Sequence, residues 1–183
     1  MGQYGPPNEL YGKFVWPCAH ILVKFIEENS KIFENKKVLE IGSGVNALGS
    51  RKVCEFASSV VITDGHQDIV SQINDVPNNC VVDKLVFGDT VVGEFDVIIG
   101  SDVYYNSVNL KCLFKTIKSN LKPDGVCYLV LEDRSGNKLK KGDVIKTIST
   151  TEIDPSLYDE RIKSFINYDR YIVMIKQDDL QEF

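Results

Sequence analysis

The chain has 183 residues, with 26 acidic and 21 basic side chains and a formal net charge of -5. A hydrophobic fraction of 43% and a charged fraction of 26% are typical of one globular domain with a sizeable apolar core. The acidic balance argues against a nucleic-acid partner and fits a basic protein or peptide better. No apolar run has the length of a transmembrane helix or the layout of a signal peptide, so we expect a cytosolic protein that also has access to the nucleus.

The alternation of predicted elements indicates an α/β fold. Residues 1–15 are rich in Gly and Pro and are expected to form an irregular arm, and residues 16–29 have apolar side chains at helical spacing. Strands are predicted at "KKVLEI", 59–63, 80–87, "EFDVIIGS", "VCYLVLED" and 171–177, with helices at 47–57, "DIVSQINDV" and 106–121. "SGNKLKKGDVIKTIST" is predicted to be a helix that runs into a strand. We therefore expect one domain, residues 1–183, with a mostly parallel sheet and helices on both faces.

The cysteines and histidines argue against a metal site. The five cysteines are widely spaced, without a zinc or redox motif, and are expected to be small core residues in a reducing compartment: Cys18, Cys54, Cys80, Cys112 and Cys127. The two histidines, His20 and His66, cannot form a metal site without acidic ligands. The sequence therefore predicts no resident metal.

A glycine loop follows the first predicted strand. Gly42-x-Gly44-x-x-Ala47 lies directly after the strand and before a helix, as in dinucleotide-binding proteins, where glycines let the backbone approach a ligand. A tight turn without any ligand explains the same three residues equally well. The loop alone therefore leaves both interpretations open.

Two acids near this loop favour a ligand. Glu40 lies just before the glycines, where a carboxylate would repel a pyrophosphate and suits a ligand with positive charge or hydrogen-bond donors. Asp64 ends the second strand about 20 residues after the first glycine, the spacing of a ribose-binding acid. Together they indicate an adenosine-type ligand that carries an amino-acid group.

This combination is the pattern of S-adenosylmethionine (SAM) enzymes with the Rossmann-like seven-strand fold. "VLEIGSGVNALG", "VVITDGHQDIV" and "FDVIIGSDVYYN" resemble the protein-lysine methyltransferases of methyltransferase family 16, and "TDG" is similar to the calmodulin-lysine methyltransferases among them. The resemblance extends from "GKFVWPCAHIL" to "YLVLEDR" and fades after Asn137. It implies SAM as methyl donor, S-adenosylhomocysteine (SAH) as product, an antiparallel C-terminal strand and a lysine of a protein substrate as acceptor.

The resemblance also implies a catalytic motif at the end of the fourth strand, an acid-x-x-Tyr sequence that runs here from Asp102 to Tyr105. Methyl transfer is an in-line displacement in which a lysine must react as the neutral amine. Tyr105 would orient that amine, and Asp102 would hold the incoming lysine or organise the loop. Alternatively, Asp102 caps the helix that begins near Asn106. Tyr104 is expected to cover the sheet edge.

The remaining predicted cofactor contacts follow from the resemblance. It places Trp16 beside the cleft, Gly88 and Asp89 near the adenine and Ser101 next to the ligand, while Phe87 stands where many relatives have tryptophan. The full predicted cofactor set is Trp16, Glu40, Gly42, Gly44, Asn46, Asp64, Gly65, His66, Gly88, Asp89 and Ser101.

Three other functions stay open at this stage. The acceptor can be a protein histidine or a small-molecule nitrogen, and the domain can be a non-catalytic SAM-fold binding module. A nicotinamide dehydrogenase shares the glycine pattern, but the short chain leaves little room for a second half and Glu40 is then unexplained. The oligomeric state is expected to be a monomer or a form that depends on a partner chain.

Overall fold

The computed structural model describes residues 11–89, 93–104, 110–133, 139, 142–148, 154, 156 and 169–180. The helices are α1 (Pro17–Glu28), α2 (Leu48–Val53), α3 (Gln67–Val70) and α4 (Leu110–Asn120). The strands are β1 (Lys37–Ile41), β2 (Ser59–Asp64), β3 (Cys80–Lys84), β4 (Phe95–Ser101), β5 (Leu121–Glu132), β6 (Asp143–Ile148) and β7 (Arg170–Lys176). Short 3-10 helices lie at Tyr11–Lys13, Ser30–Ile32 and Gln177–Leu180.

The strands form one sheet in the order β3-β2-β1-β4-β5-β7-β6. Strands β1 to β5 pair in parallel, whereas β7 is antiparallel to both β5 and β6. This confirms the predicted α/β fold with its antiparallel C-terminal strand. The strand order reverses between β1 and β4, and in such sheets ligands bind outside the carboxyl ends of the strands at that point.

Apolar packing on both faces holds the sheet. One cluster joins α1 to the sheet through Leu22, Ile26 and Phe25, whose ring lies 5.1 Å from that of Tyr128. The other face is covered by α4. Strands that are buried on both faces are apolar along their whole length, which explains why β1 and β4 were easily predicted.

Two predicted elements have different bounds. The helix predicted at "DIVSQINDV" is a single turn, because Asp75 adopts a left-handed φ of 53° and the Arg51 guanidinium donates to the carbonyls of Asn74 and Asp75 at 2.6 and 3.0 Å. Strand β5 begins earlier than predicted. Phe95 lies opposite Leu121 but Val97 lies opposite Val126, so residues 122–125 bulge out of the ladder.

The two ends of the chain also differ from expectation. Tyr11–Lys13 is helical and Phe14 is buried, so the predicted irregular arm does not reach residue 15, and residues 1–10 lie outside the described part. In the C-terminal region the strand half of the predicted helix–strand segment is confirmed as β6. Its helical half falls largely outside the described residues.

The cysteines are all free thiols, but not all belong to the core. Cys18, Cys80 and Cys127 are buried as predicted, whereas Cys112 is exposed. Its position on the outer face of the amphipathic α4 explains the difference, since that face is turned away from the sheet. In the ranges that the structure covers, no helix has both the length and the apolar character needed to cross a membrane.

Candidate functional site

The predicted site residues meet at one edge of the sheet. Glu40, Asp64 and Ser101 lie at the carboxyl ends of β1, β2 and β4, which are neighbours in the sheet. The loop with Gly88 and Asp89 follows β3 at the same edge. The edge therefore brings together residues that are far apart in sequence.

The glycine loop needs its two glycines for steric reasons. Gly42 and Gly44 both have φ of +63°, a conformation that other residues rarely adopt. A Cβ on Gly42 would lie 2.8 Å from the Val103 side chain, and one on Gly44 would lie 2.8 Å from the Gly12 carbonyl oxygen. Ala47, which stands where a third glycine is common, is also left-handed, with φ of 43°.

Residues 11–16, which we name the N-terminal strap, lie against this loop. The Val45 amide donates to the Gly12 carbonyl at 2.8 Å, and the Trp16 indole N–H donates to the Tyr11 carbonyl at 3.1 Å. Trp16 is therefore tied into the strap and is half-buried. Sequence reasoning missed Gly12, although a glycine in the conspicuous stretch "YGKFVW" was a signal for close backbone approach.

Glu40 lies beneath the glycine loop and is almost completely buried. Its carboxylate accepts hydrogen bonds from the backbone amides of Gly49 and Ser50, the latter at 2.8 Å, and thereby caps α2. A Cβ on Gly49 would lie 2.5 Å from the carboxylate, so this glycine makes room for it. Burial raises the pKa of Glu40 to about 7, with a smaller contribution from the charge of Asp64, against the opposing effect of the hydrogen bonds.

Asp64 links the glycine loop to the end of β2. Its Oδ2 accepts from the Gly44 amide at 3.1 Å and its Oδ1 accepts from the His66 amide at 3.0 Å. Each carboxylate oxygen can accept a second hydrogen bond, so capacity for ligand hydroxyls remains. His66 is exposed, and a Cβ added to Gly65 would make an ordinary van der Waals contact with the Leu85 carbonyl oxygen at 3.6 Å.

The loop after β3 is held by α4. The Gly88 amide donates to Thr116 Oγ1 at 2.8 Å, and Thr116 Oγ1 contacts the Asp89 carbonyl at 3.4 Å. The Phe87 ring is half-buried and comes within 3.8 Å of the position of a Cβ on Gly42. Phe87 therefore forms an apolar wall beside the glycine loop. Asn46 is exposed on the outer side of the loop.

Asp102 lies on the other side of the switch point in a left-handed conformation, with φ of 52°. Its amide donates to the Val130 carbonyl at 2.9 Å, and its carboxylate accepts a hydrogen bond from the Cys18 thiol. Burial and the Asp102 carboxylate together raise the pKa of that thiol. Tyr104 packs on the apolar cluster, as predicted for a residue that covers the sheet edge. Tyr105 lies outside the described residues.

Sequence reasoning missed an ion pair next to Asp102. Arg170, the first residue of β7, places Nη2 3.2 Å from Oε1 of Glu132, the last residue of β5, and both side chains are buried. A polar residue at the end of an apolar strand was the signal that identified Asp64 and Asp102, and Glu132 carries the same signal. No cluster of three or more His, Cys, Asp or Glu residues suited to a metal occurs in the described part of the chain.

Comparison with known proteins identifies relatives of this chain. It is 28% identical to a calmodulin-lysine N-methyltransferase of Arabidopsis thaliana, across 90% of this chain and 58% of that protein. It is 30% identical to a histone-arginine methyltransferase of Rattus norvegicus, across 58% of this chain and 52% of that protein. The chain thus spans little more than half the length of these relatives.

The fold and a family model agree with these similarities. The structure of a ribosomal protein L11 methylase from Lactobacillus delbrueckii superposes with a TM-score of 0.57 at 15% identity, over 87% of this chain and 77% of that one. A family model described as lysine methyltransferase matches residues 7–147 of the 183. The match covers the strap, the glycine loop, Asp64 and Asp102, and the chain belongs to the lysine methyltransferase family.

Proposed function

We propose that the protein is a SAM-dependent methyltransferase that modifies a lysine ε-amine of a protein substrate. The observation that carries this proposal is the Asp64 carboxylate, held 3.1 Å from the Gly44 amide at the switch point of the sheet. It joins an acid suited to ribose hydroxyls to a glycine loop that turns at the switch point with φ of +63° at both Gly42 and Gly44. SAM presents a ribose, an adenine and an amino-acid group, and the residues present fit all three.

The proposed cofactor residues would bind SAM and orient it. Asp64 would accept from the ribose hydroxyls, Phe87 would pack on the adenine, and the glycine loop would face the amino-acid group. Glu40 acts from beneath, since it holds the start of α2 and hence the shape of the loop. SAM, when bound, supplies an electrophilic methyl group on a sulfonium.

On the acceptor side, this chain must align a nucleophile and exclude water. Asp102 follows β4 and is half-buried, with its Oδ2 atom enclosed, and its negative charge is proposed to attract the cationic side chain of the substrate. The amine must lose its proton to water before it attacks, because the neutral form carries the reactive lone pair. Tyr105 is proposed to orient that neutral amine and to line the lysine stem. No step requires a metal.

The identity of the partner and the compartment are also proposals. The acidic net charge of -5 favours a basic segment of a protein as substrate and disfavours nucleic acid. Five free thiols suit a reducing compartment, so we propose the cytoplasm, with access to the nucleus. We propose a monomer or a partner-dependent form, in which a partner chain completes the substrate surface.

The test begins with calorimetric titration of SAH and, separately, NAD. We expect micromolar binding of SAH alone, lost in Asp64→Ala and partly retained in Asp64→Asn, which keeps one acceptor oxygen. Labelled SAM and heat-treated cell lysate then reveal the methylated protein, with Tyr105→Phe as the catalytic variant. Binding of NAD instead of SAH, or no binding at all, would contradict the proposal. Label on arginine or histidine would support methyl transfer but would contradict lysine as the acceptor.

A further inference from the structure

Four side chains from α1, β5, β7 and the residue after β4 form a largely buried polar cluster behind the proposed acceptor side: Cys18, Asp102, Glu132 and Arg170. Strand β7 runs opposite to β5, so its first residue lies in register with the last residue of β5. The Arg170 and Glu132 side chains are 0% and 2% exposed and their charged atoms are 3.2 Å apart. The antiparallel strand thus places a guanidinium at the edge where the parallel strands end.

Stability does not explain this ion pair. Each buried ion loses its hydration at a cost of several kcal/mol, and apolar pairs of similar volume are often as stable or more so. The pair also lies at the one edge of the sheet where ligands bind rather than in the middle of the core. A role in the site is therefore the better explanation for charge at this position.

The Arg170–Glu132 ion pair is linked to Asp102 through the sheet and through Cys18. The Asp102 amide donates to the carbonyl of Val130, two residues before Glu132, so the two acids lie on neighbouring strands at the same edge. The Cys18 thiol donates to Asp102 and lies within electrostatic reach of both Glu132 and Arg170. Cys18, Glu132 and Arg170 are buried, whereas Asp102 as a whole is half-buried, although its Oδ2 atom is enclosed.

The charges of Glu132 and Arg170 act on the Asp102 carboxylate. The Asp102 and Glu132 carboxylates both act on the Cys18 thiol and repel one another, and the Arg170 guanidinium, 3.2 Å from Glu132, offsets that repulsion. Asp102 has the left-handed φ of 52°, which is strained for a residue with a side chain. Without Arg170, both the repulsion and the strain favour rotation of Asp102 away from its position.

We infer that Arg170 is a positioning residue: by pairing with Glu132 it holds the Asp102 carboxylate at the mouth of the acceptor site, without contact to the cofactor. This inference rests on the proposed methyl transfer and adds to it a residue from the far end of the chain. It implies that the charge of the cluster affects turnover and leaves cofactor affinity unchanged.

The experiment compares Arg170→Met, Arg170→Lys and the double variant E132Q/R170M, each with and without Asp102→Asn. SAH calorimetry counts the intact sites, and label transferred from SAM to heat-treated lysate protein is expressed per SAH-binding site. We expect Arg170→Met to lose about 30-fold in turnover, and E132Q/R170M and Arg170→Lys to return to within about fivefold of wild type. SAH affinity should stay within about twofold throughout, and Arg170→Met should cause no further loss in the Asp102→Asn background.

Other results would overturn the inference. One is an equal loss of turnover from Arg170→Met in the wild-type and Asp102→Asn backgrounds. The others are a parallel loss of SAH affinity and no recovery of turnover in E132Q/R170M. If Arg170→Met does not fold because the buried charge of Glu132 loses the Arg170 guanidinium, Arg170→Lys and E132Q/R170M make the same comparison.

A failure of the proposed function would look different. In that case the wild type binds SAH but labels no protein, and the urea midpoint becomes the readout. Asp102→Asn must then shift the midpoint of the wild type by a different amount from that of E132Q/R170M. Equal shifts would show that Asp102 and the ion pair are independent, which would overturn the inference.

Discussion

The site as proposed has a cofactor half and an acceptor half, and the two hold their acids in different ways. In the cofactor half, at the ends of β1 and β2, Glu40 and Asp64 accept hydrogen bonds from backbone amides. In the acceptor half, at the ends of β4 and β5, Asp102 and Glu132 interact with the side chains of Cys18 and Arg170. Backbone donors are fixed by the path of the chain, whereas side-chain donors change with one substitution. The cofactor half should therefore respond to changes in backbone conformation, and the acceptor half to changes in charge.

The substitution Gly44→Ala should break the cofactor half most severely. The new Cβ would lie 2.8 Å from the Gly12 carbonyl, a backbone atom that cannot rotate away, at a φ of +63°. We expect SAH affinity to fall at least about 100-fold, or roughly 3 kcal/mol, by calorimetry.

Gly42→Ala provides the matched comparison, because its new Cβ meets the side chain of Val103 instead of backbone. The double variant G42A/V103A should therefore bind SAH more tightly than Gly42→Ala alone, although the strain at φ of +63° remains. Wild-type affinity in Gly44→Ala would show that the strap does not restrict the loop.

Glu40→Gln should change the pH dependence of stability. The folded pKa is raised from 4.5 to about 7, so between these values the folded state retains a proton that the unfolded state releases. The wild type should therefore lose stability relative to Glu40→Gln as pH rises from 4.5 to 7, by at most about 3 kcal/mol, and change no further above that range. Urea unfolding at several pH values measures this difference. Glu34→Gln, an exposed acid, is the control, and parallel curves for wild type and Glu40→Gln would contradict the prediction.

Phe87→Ala tests the wall beside the glycine loop. Loss of the half-buried ring should lower SAH affinity by about tenfold, because the adenine loses its apolar contact, while Asp64 still holds the ribose. Val86→Ala removes a neighbouring side chain that is 44% exposed and should leave SAH affinity unchanged. Equal effects of the two substitutions would place the adenine elsewhere.

Ala47→Gly should produce the smallest effect, and it should raise the stability of the protein. Ala47 has φ of 43° and ψ of 46°, which glycine adopts without strain. The gain of about 1–2 kcal/mol from relieved strain exceeds the entropic cost of glycine, so we expect roughly 0.5 kcal/mol of added stability. The urea midpoint measures it, and SAH affinity should be retained. A lower midpoint would mean that the Ala47 methyl group contributes more to packing than its conformation costs.

Much of the cofactor half could be predicted because its signals are local. The glycines, Glu40 and Asp64 each directly follow or end a strand that is apolar on both faces, and such strands are recognisable without knowledge of their partners. The contact between Gly12 and Gly44 could not be predicted, since it depends on where the strap folds back. The glycines were expected to let the backbone approach a ligand, and the structure shows that Gly44 lets the backbone of the strap approach.

The acceptor half depends on long-range pairing, which the sequence does not reveal. Arg170 precedes the strand predicted at 171–177 and would ordinarily be taken for an exposed residue. Only the antiparallel register of β5 and β7 places it opposite Glu132. The bulge in β5 and the single turn of α3 were missed for the same reason, because distant groups such as Arg51 determine the local backbone.

The position of β7 also has a consequence for biosynthesis. Among the described strands, β6 pairs with β7 alone, and β7 lies between β5 and β6 although it is made after both. During synthesis, β6 therefore leaves the ribosome before its strand partner and stays unpaired until residues 170–176 have been made. Strand β7, which pairs with β6, also carries the Arg170 guanidinium that pairs with Glu132. A nascent chain can thus complete the proposed cofactor half first, and the charges of the proposed acceptor half are balanced only after β7 has been made.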